Sequence, residues 1–384
     1  MLESYALKLP GSVIAGKDAL GGLTGILEMR SAEHVALFCD AAIWNLGLAE
    51  PVLEVIRRTG ARVDVTRDLV PEPTYHDVER SVAWFRATGA EIIVAIGGGS
   101  AMDAAKLASV LATDEYSITD LLEDPSLARK QTPTVMIPTT AGTGAEVTPN
   151  AIVAVPEREL KIGIVSDAMM ADAVILDVEF IRGLPRPIAA ATGLDALCHA
   201  IECYTSTKAN PFSDIFALEA LDLILSNIEA ACDDVSALEA KRAMQLASFY
   251  AGFAITASGT TAVHALSYPL GGRYHVAHGV SNAILLMPVM RFNEPVVRAR
   301  LAVAYDRCIG GEATTEREKS AALLDRMDAI VRHLDMPANL AELGVDEVDL
   351  DGLVASGMGV TRLLHNNARP LTAEDARAIY QQII

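Results

Sequence analysis

From about residue 35 onward, short apolar runs alternate with amphipathic stretches, and the spacing predicts strands and helices in turn. Residues 35–39 read as a strand followed by a helix near 44–58, and 62–65 as a strand followed by a helix over about 75–87. A strand at 92–96, a helix over 100–111 and a strand at 134–137 continue the series. Such alternation implies a parallel sheet covered by helices. Residues 152–155 and 161–165, joined by the polar Pro156-Glu157-Arg158-Glu159, read as a hairpin, with a further strand at 173–176. Beyond Pro185 and Pro187 the pattern changes to long alanine- and leucine-rich stretches with helical spacing. The expected architecture is therefore α/β: an N-terminal Rossmann-like parallel-sheet domain over 1–180 and a C-terminal all-helical domain over 181–384.

Composition narrows the function. A chain of 384 residues exceeds one ordinary core and has ample apolar content for two. Its net charge of -19 and pI near 4.8 exclude nucleic acid or an anionic membrane as the expected partner, since both require a basic face. Residues 1–10 lack the apolar core of a signal peptide, and no later stretch is long and apolar enough to span a bilayer, so a cytoplasmic protein is expected. Five cysteines without CxxC spacing read as reduced thiols, and Cys198 as a structural one.

Two loops and four side chains carry the chemistry. Ile92-Ile93-Val94-Ala95-Ile96 runs into Gly97-Gly98-Gly99-Ser100 and then into a helix, which is a strand, a turn without side chains and a helix N-terminus. Such a turn lets a phosphate reach unpaired N–H groups, and a pyrophosphate is the natural guest. The loop is neither GxGxxG nor an ATP-binding loop, and a plain strand-to-helix turn is the alternative. Thr139-Thr140-Ala141-Gly142-Thr143-Gly144 adds a second small polar loop after a strand. Asp40, ending the first strand, is suited to accept hydrogen bonds from an adenosine ribose and to repel a 2′-phosphate, which favours NAD over NADP; a helix-cap aspartate is the plain alternative. Asp195 and His199 lie four apart on a predicted helix and so share a face. Alone they are an ordinary surface pair. With His264 and His278, in a chain of eight histidines, they make a set of one carboxylate and three imidazoles that suits Fe²⁺ or Zn²⁺.

These segments, together with Glu146-Val147-Thr148, Gly193-Leu194-Asp195-Ala196-Leu197-Cys198-His199-Ala200-Ile201-Glu202, Val263-His264, His278-Gly279-Val280 and Asn367-Ala368-Arg369-Pro370-Leu371-Thr372, resemble the iron-containing (group III) alcohol dehydrogenases of the dehydroquinate synthase-like fold. The resemblance covers essentially the whole chain. It implies an NAD(P)-binding domain, a helical domain, a metal held between them by Asp195, His199, His264 and His278, and a homodimer or larger homo-oligomer. One position departs from several members: a second histidine four residues after the third ligand is here Tyr268. Tyrosine, with a pKa of about 10, is a poor base near neutral pH, and the same residue resembles the hydroxyacid-oxoacid transhydrogenase branch. His275 is the candidate replacement in proton transfer, a solvated loop histidine being the alternative. Arg273 is a candidate anchor for a substrate carboxylate, phosphonate or sulfonate, or else a surface ion pair. Asn150 falls where the family places a polar residue near the cleft, or is a turn asparagine.

The implied activity is reversible oxidation of a small alcohol, diol or hydroxyacid by NAD⁺, with the metal as Lewis acid and the nicotinamide as hydride acceptor. Three readings compete with it: a dehydroquinate synthase-like lyase, a transhydrogenase with bound NAD(H), and a non-catalytic NAD-binding protein.

Overall fold

The computed structural model describes residues 4–384 except Glu159 and Asp346, and its chain divides into two compact units. One is Lys8–Gly183; the other is Leu184–Ile384 together with the N-terminal residues up to Leu7, where Tyr5 packs edge-on to Phe212 with ring centroids 5.3 Å apart. The reading of residues 1–3 as part of a leaderless N-terminus, and of Glu159 as the end of the hairpin join, lies outside the described residues.

In the first unit the strands are β1 (Ser12–Ala15), β2 (His34–Asp40), β3 (Arg62–Leu69), β4 (Ile92–Gly97), β5 (Thr134–Pro138), β6 (Asn150–Val155), β7 (Leu160–Val165) and β8 (Ala173–Leu176). Its helices are α1 (Gly22–Met29), α2 (Ala41–Asn45), α3 (Ala49–Arg58), α4 (Tyr75–Thr88), α5 (Gly99–Val110) and α6 (Ile118–Glu123). Six strands form a parallel sheet in the order β1-β8-β5-β4-β2-β3. β4, β5 and β8 are buried along their whole length, as expected of parallel strands covered on both faces, which is why they read as unbroken apolar runs. β6 and β7 form the expected antiparallel hairpin as a separate two-stranded sheet. The predicted helix over 44–58 is in fact two helices, α2 and α3, because Gly47 between them adopts a left-handed φ of 73° and ends the first. β1 escaped the sequence reading: it is a four-residue, largely exposed edge strand whose partner, β8, lies far along the chain.

The order of strands positions the glycine loop. The chain runs from β2 outward to β3, then crosses back to place β4 on the other side of β2. Ligands of open α/β sheets bind at such a reversal, outside the carboxyl ends of the strands. Here those ends are Asp40 on β2 and Gly97 on β4, and Cys39 opposite Ile96 is the last pair before them.

The second unit is built from α7 (Arg186–Thr205), α8 (Pro211–Asp233), α9 (Leu238–Ser258), α10 (Ala262–Tyr274), α11 (His278–Cys308), α12 (Glu316–His333), α13 (Leu350–Gly359), α14 (Thr361–Leu364) and α15 (Ala373–Tyr380). Pro187 in the first turn of α7 costs nothing, since that N–H has no partner within the helix. From Gly193 to Thr205 every residue of α7 is buried, and the helix packs against α8, α9, α10 and α11. A helix apolar on all sides belongs in a core. Any polar residue on it must therefore find a buried partner. No described helix is long and apolar enough to cross a membrane.

Candidate functional site

Asp195 and His199, one turn apart on α7, meet His264 near the start of α10 and His278 at the start of α11. The four donor atoms all lie within 4.8 Å of one another. Asp195 Oδ1 is 3.7 Å from His199 Nε2 and 3.6 Å from the Nε2 atoms of both His264 and His278. Tetrahedral coordination with bonds of about 2.1 Å places donors about 3.4 Å apart, and the three distances from Asp195 are close to that value. The rings of His199 and His264 stack with centroids 4.6 Å apart, and those of His264 and His278 meet edge-on at 5.3 Å. Asp195, His199 and His264 are buried, whereas the side chain of His278 is 31% exposed, which leaves one approach to the cluster.

Two residues that the sequence reading had not singled out complete the surroundings. Glu202, also on α7 and fully buried, places Oε2 against His264 Nδ1, while its Oε1 accepts from Thr261 N at 3.0 Å, Thr261 Oγ1 at 2.7 Å and Val263 N at 2.8 Å. Asn282, fully buried one turn after His278, donates from Nδ2 to Asp195 Oδ1 at 2.7 Å and has the same nitrogen 3.1 and 3.2 Å from His264 and His278 Nε2. Its Oδ1 is buried without a hydrogen-bond partner among the described residues. The available signal was helical spacing, three residues on from His199 and four on from His278.

The electrostatics ask for positive charge. Burial pushes the Asp195 carboxyl up, but His199, His278 and His264 together hold it well below the usual carboxylate range. Glu202 is likewise held down, against burial, by His264 and Thr261. Burial opposes charge on His264, yet Glu202 and Asp195 lift its pKa to about 9. A protonated His264 offsets part of that negative charge, and a divalent cation held by neutral imidazoles would balance both carboxylates.

In the sheet unit, the sequence-predicted loop residues come together. Thr139 N donates to Gly97 O at 3.0 Å. A Cβ on Gly98 would meet Thr140 at 3.5 Å, and one on Gly99 would meet Thr143 at 3.0 Å, so the two loops face each other at the ends of β4 and β5. Asp40 uses Oδ1 to cap α2 through Ile43 N at 2.8 Å, while Oδ2 is turned toward Gly97, 3.7 Å from where a Cβ there would lie. The cap reading thus holds for one oxygen and leaves the other at the strand ends. Ser100 Oγ accepts the Glu72 N–H at 3.0 Å, which ties the β3–α4 connection to the start of α5.

The two sequence comparisons cover both units. Residues 10–178 match the model described as iron-containing alcohol dehydrogenase, and residues 189–384 match the C-terminal model of the Fe-containing alcohol dehydrogenase family. The chain belongs to the iron-containing alcohol dehydrogenase family. Among relatives, it is 36% identical over 371 residues to long-chain-alcohol dehydrogenase 1 of Geobacillus thermodenitrificans, covering 95% of this chain and 93% of that protein. The solved structure of a 1,3-propanediol oxidoreductase superposes with a TM-score of 0.95 at 28% identity, over 100% of both chains. A sulfoacetaldehyde reductase from Bifidobacterium kashiwanohense, solved in complex with NAD⁺, does so with a TM-score of 0.88 at 27% identity, over 100% of this chain and 99% of that one. This member of the family is thus an oxidoreductase acting on a CH–OH group, and its fold is that of the iron-dependent alcohol dehydrogenases.

The remaining predicted residues of this family member are spread more widely. Tyr268 is buried on α10 with its ring 6.1 Å from that of His278. His275 is exposed, in a left-handed conformation (φ 55°) that ends α10. Arg273 pairs with Asp349 at 2.6 Å, linking α10 to the cap of α13, as the ion-pair reading expected. Asn150 begins β6, and its carbonyl accepts from the fully buried Lys106 at 2.7 Å. Lys106 itself went unnoticed in the sequence because a lysine on a helix reads as a solvated side chain.

Proposed function

We propose that this protein oxidises a small alcohol, diol or hydroxyacid reversibly with NAD⁺, at a divalent metal held by Asp195, His199, His264 and His278. The observation that carries this is the ligand cluster: four donors within 4.8 Å of one another, three of the distances 3.6 to 3.7 Å, with the buried carboxylates of Asp195 and Glu202 beside the histidines. Fe²⁺ is the family's metal, and Zn²⁺ suits the same donors. When bound, the cation is a Lewis acid that draws charge from the substrate oxygen while the nicotinamide takes up hydride. NAD is proposed to bind with its pyrophosphate over Gly97, Gly98, Gly99 and Ser100, lined by Thr139, Thr140 and Thr143, and with its ribose on Asp40. The relatives named as NAD-dependent or solved with NAD⁺ support that choice.

The chain's own groups then do the following. Asp195, His199 and His264 exclude water on the buried side, and the partly exposed His278 marks the side from which substrate enters. Tyr268, buried beside His278, orients the substrate, and His275, at the surface three residues before His278, passes the proton to solvent. Arg273 is proposed to select acidic substrates by exchanging its partner Asp349 for a substrate anion; Asn150 is proposed to contact the substrate. The five cysteines are all free, which fits a cytoplasmic protein, and assembly as a homodimer or larger oligomer is carried over from the family resemblance.

The test is a panel of two- to six-carbon alcohols, diols and hydroxyacids with NAD⁺ or NADP⁺, run on the wild type, Tyr268→Phe, His275→Ala, Asn150→Ala and Arg273→Ala. NADH accumulating in step with alcohol consumed is the expected result, with NADP⁺ much poorer. His275→Ala and Tyr268→Phe are expected to lower kcat by roughly tenfold or more, Asn150→Ala to raise KM for the alcohol, and Arg273→Ala to raise KM for hydroxyacids alone. Turnover without added NAD⁺ would indicate transhydrogenation instead, and substrate loss without net NADH a lyase.

A further inference from the structure

Glu202 sits where two different demands meet. Its Oε1 collects the N–H groups of Thr261 and Val263, with His264 N also at 3.4 Å, so it caps the N-terminus of α10 from a neighbouring helix. Its Oε2 faces His264 Nδ1. A carboxylate only accepts, so Nδ1 must carry the ring proton. The lone pair of His264 is then on Nε2, the atom 3.6 Å from Asp195 Oδ1 and inside the ligand cluster. Asn282 Nδ2, a donor 3.1 Å from Nε2, favours the same tautomer from the other side of the ring.

We propose that Glu202 is a positioning residue for the metal centre, holding His264 in the one tautomer whose Nε2 can bind a cation. This rests on the metal reading given above. Three features carry it beyond a structural cap. The carboxylate is fully buried, so no water competes for Nδ1. It divides its oxygens, one for the helix and one for the ring. It also adds the second negative charge that a divalent ion neutralises, and carboxylate partners of this kind raise the basicity of ligating histidines.

The division of labour makes Glu202→Gln a sharp test. A glutamine oxygen stays with Thr261 and Val263, because an amide NH₂ there would face only donors. The NH₂ group is then left against His264 Nδ1, which must become an acceptor, and the ring proton moves to Nε2. The cap survives while the metal-binding lone pair is lost.

The experiment measures Zn²⁺ affinity by chelator competition for the wild type, Glu202→Gln and Glu202→Asp, alongside the unfolding midpoint of each metal-free protein. The expected result is Glu202→Gln binding Zn²⁺ at least roughly 10- to 100-fold more weakly at an unchanged midpoint, with Glu202→Asp recovering part of the affinity. Equal affinity in Glu202→Gln would overturn the proposal. So would a loss of affinity that follows the midpoint and is not relieved by aspartate, which is the behaviour of a cap alone. Should Glu202→Gln fail to fold, the nitrogen-15 spectrum of the Zn²⁺-loaded wild type decides: a strongly downfield His264 Nδ1 proton is expected, and its absence overturns the proposal. Failure of the wild type itself to bind Zn²⁺ would instead remove the metal reading beneath it.

Discussion

Replacing Asp195 by asparagine is expected to cost at least about a thousandfold in NAD-linked alcohol turnover, equivalent to about 4 kcal/mol of barrier, while NAD binding stays nearly unchanged. Asp195 is the hub of the cluster, since one oxygen lies 3.6 to 3.7 Å from the Nε2 atom of all three histidines. Asparagine keeps the shape, and the burial of Asp195 leaves no water to replace the lost charge. The donor Asn282 Nδ2, now 2.7 Å from Asp195 Oδ1, would face a weaker acceptor or another NH₂. Metal analysis of the purified variant should therefore show near-empty protein. The glycine loop belongs to the other compact unit, so NAD affinity, read by fluorescence titration, should remain. Full metal occupancy with full turnover in Asp195→Asn would remove Asp195 from the ligand set.

The second large effect is expected at Gly98. Its backbone, at φ -81° and ψ -170°, is one that alanine adopts readily, and a Cβ there would meet Thr140 at an ordinary 3.5 Å. Neither backbone nor packing requires glycine. As the residue preceding α5 it is even a poorer choice than serine or aspartate, which would cap the helix. Close approach of a ligand to the backbone is the remaining reason. Gly98→Ala is accordingly expected to leave the unfolding midpoint and metal content intact and to raise KM for NAD⁺ by roughly tenfold or more, the cost of about 1.4 kcal/mol of lost contact. Gly97 would not serve as well: its Cβ would lie 2.6 Å from that of Ala101, so a loss of binding there would be mixed with a disturbed helix. Steady-state kinetics over a range of NAD⁺ concentrations checks the prediction, and an unchanged KM would remove Gly98 from the cofactor site.

The features of the fold and site legible in the sequence were those with a local signature. Short, largely apolar runs of four or five residues marked β2, β4 and β5 because parallel strands are covered on both faces, and Asp195 and His199 announced themselves by helical spacing. Glu202 is equally close in sequence to His199, but its meaning depends on His264, which only the packing of α10 against α7 brings near. On a helix buried all round, sequence gives no polar face to distinguish a ligand's support from a structural residue. Arg273 illustrates the same limit from the surface side, since Asp349 is distant in sequence and pairs with it only through the meeting of α10 and α13. At Asp40 the two readings drawn from sequence were not exclusive, because a carboxylate has two oxygens and the structure uses one for the cap.

Alcohol oxidation by this protein is proposed to depend on a divalent ion held by Asp195, His199, His264 and His278. The most direct test is stripping the protein with a chelator, then titrating Fe²⁺ or Zn²⁺ back anaerobically while following NADH formation from an alcohol found active in the panel. The expected result is no NADH formation by the stripped protein and recovery that saturates at about one metal ion per chain. NAD-linked turnover at the full rate in protein shown to be metal-free would contradict it.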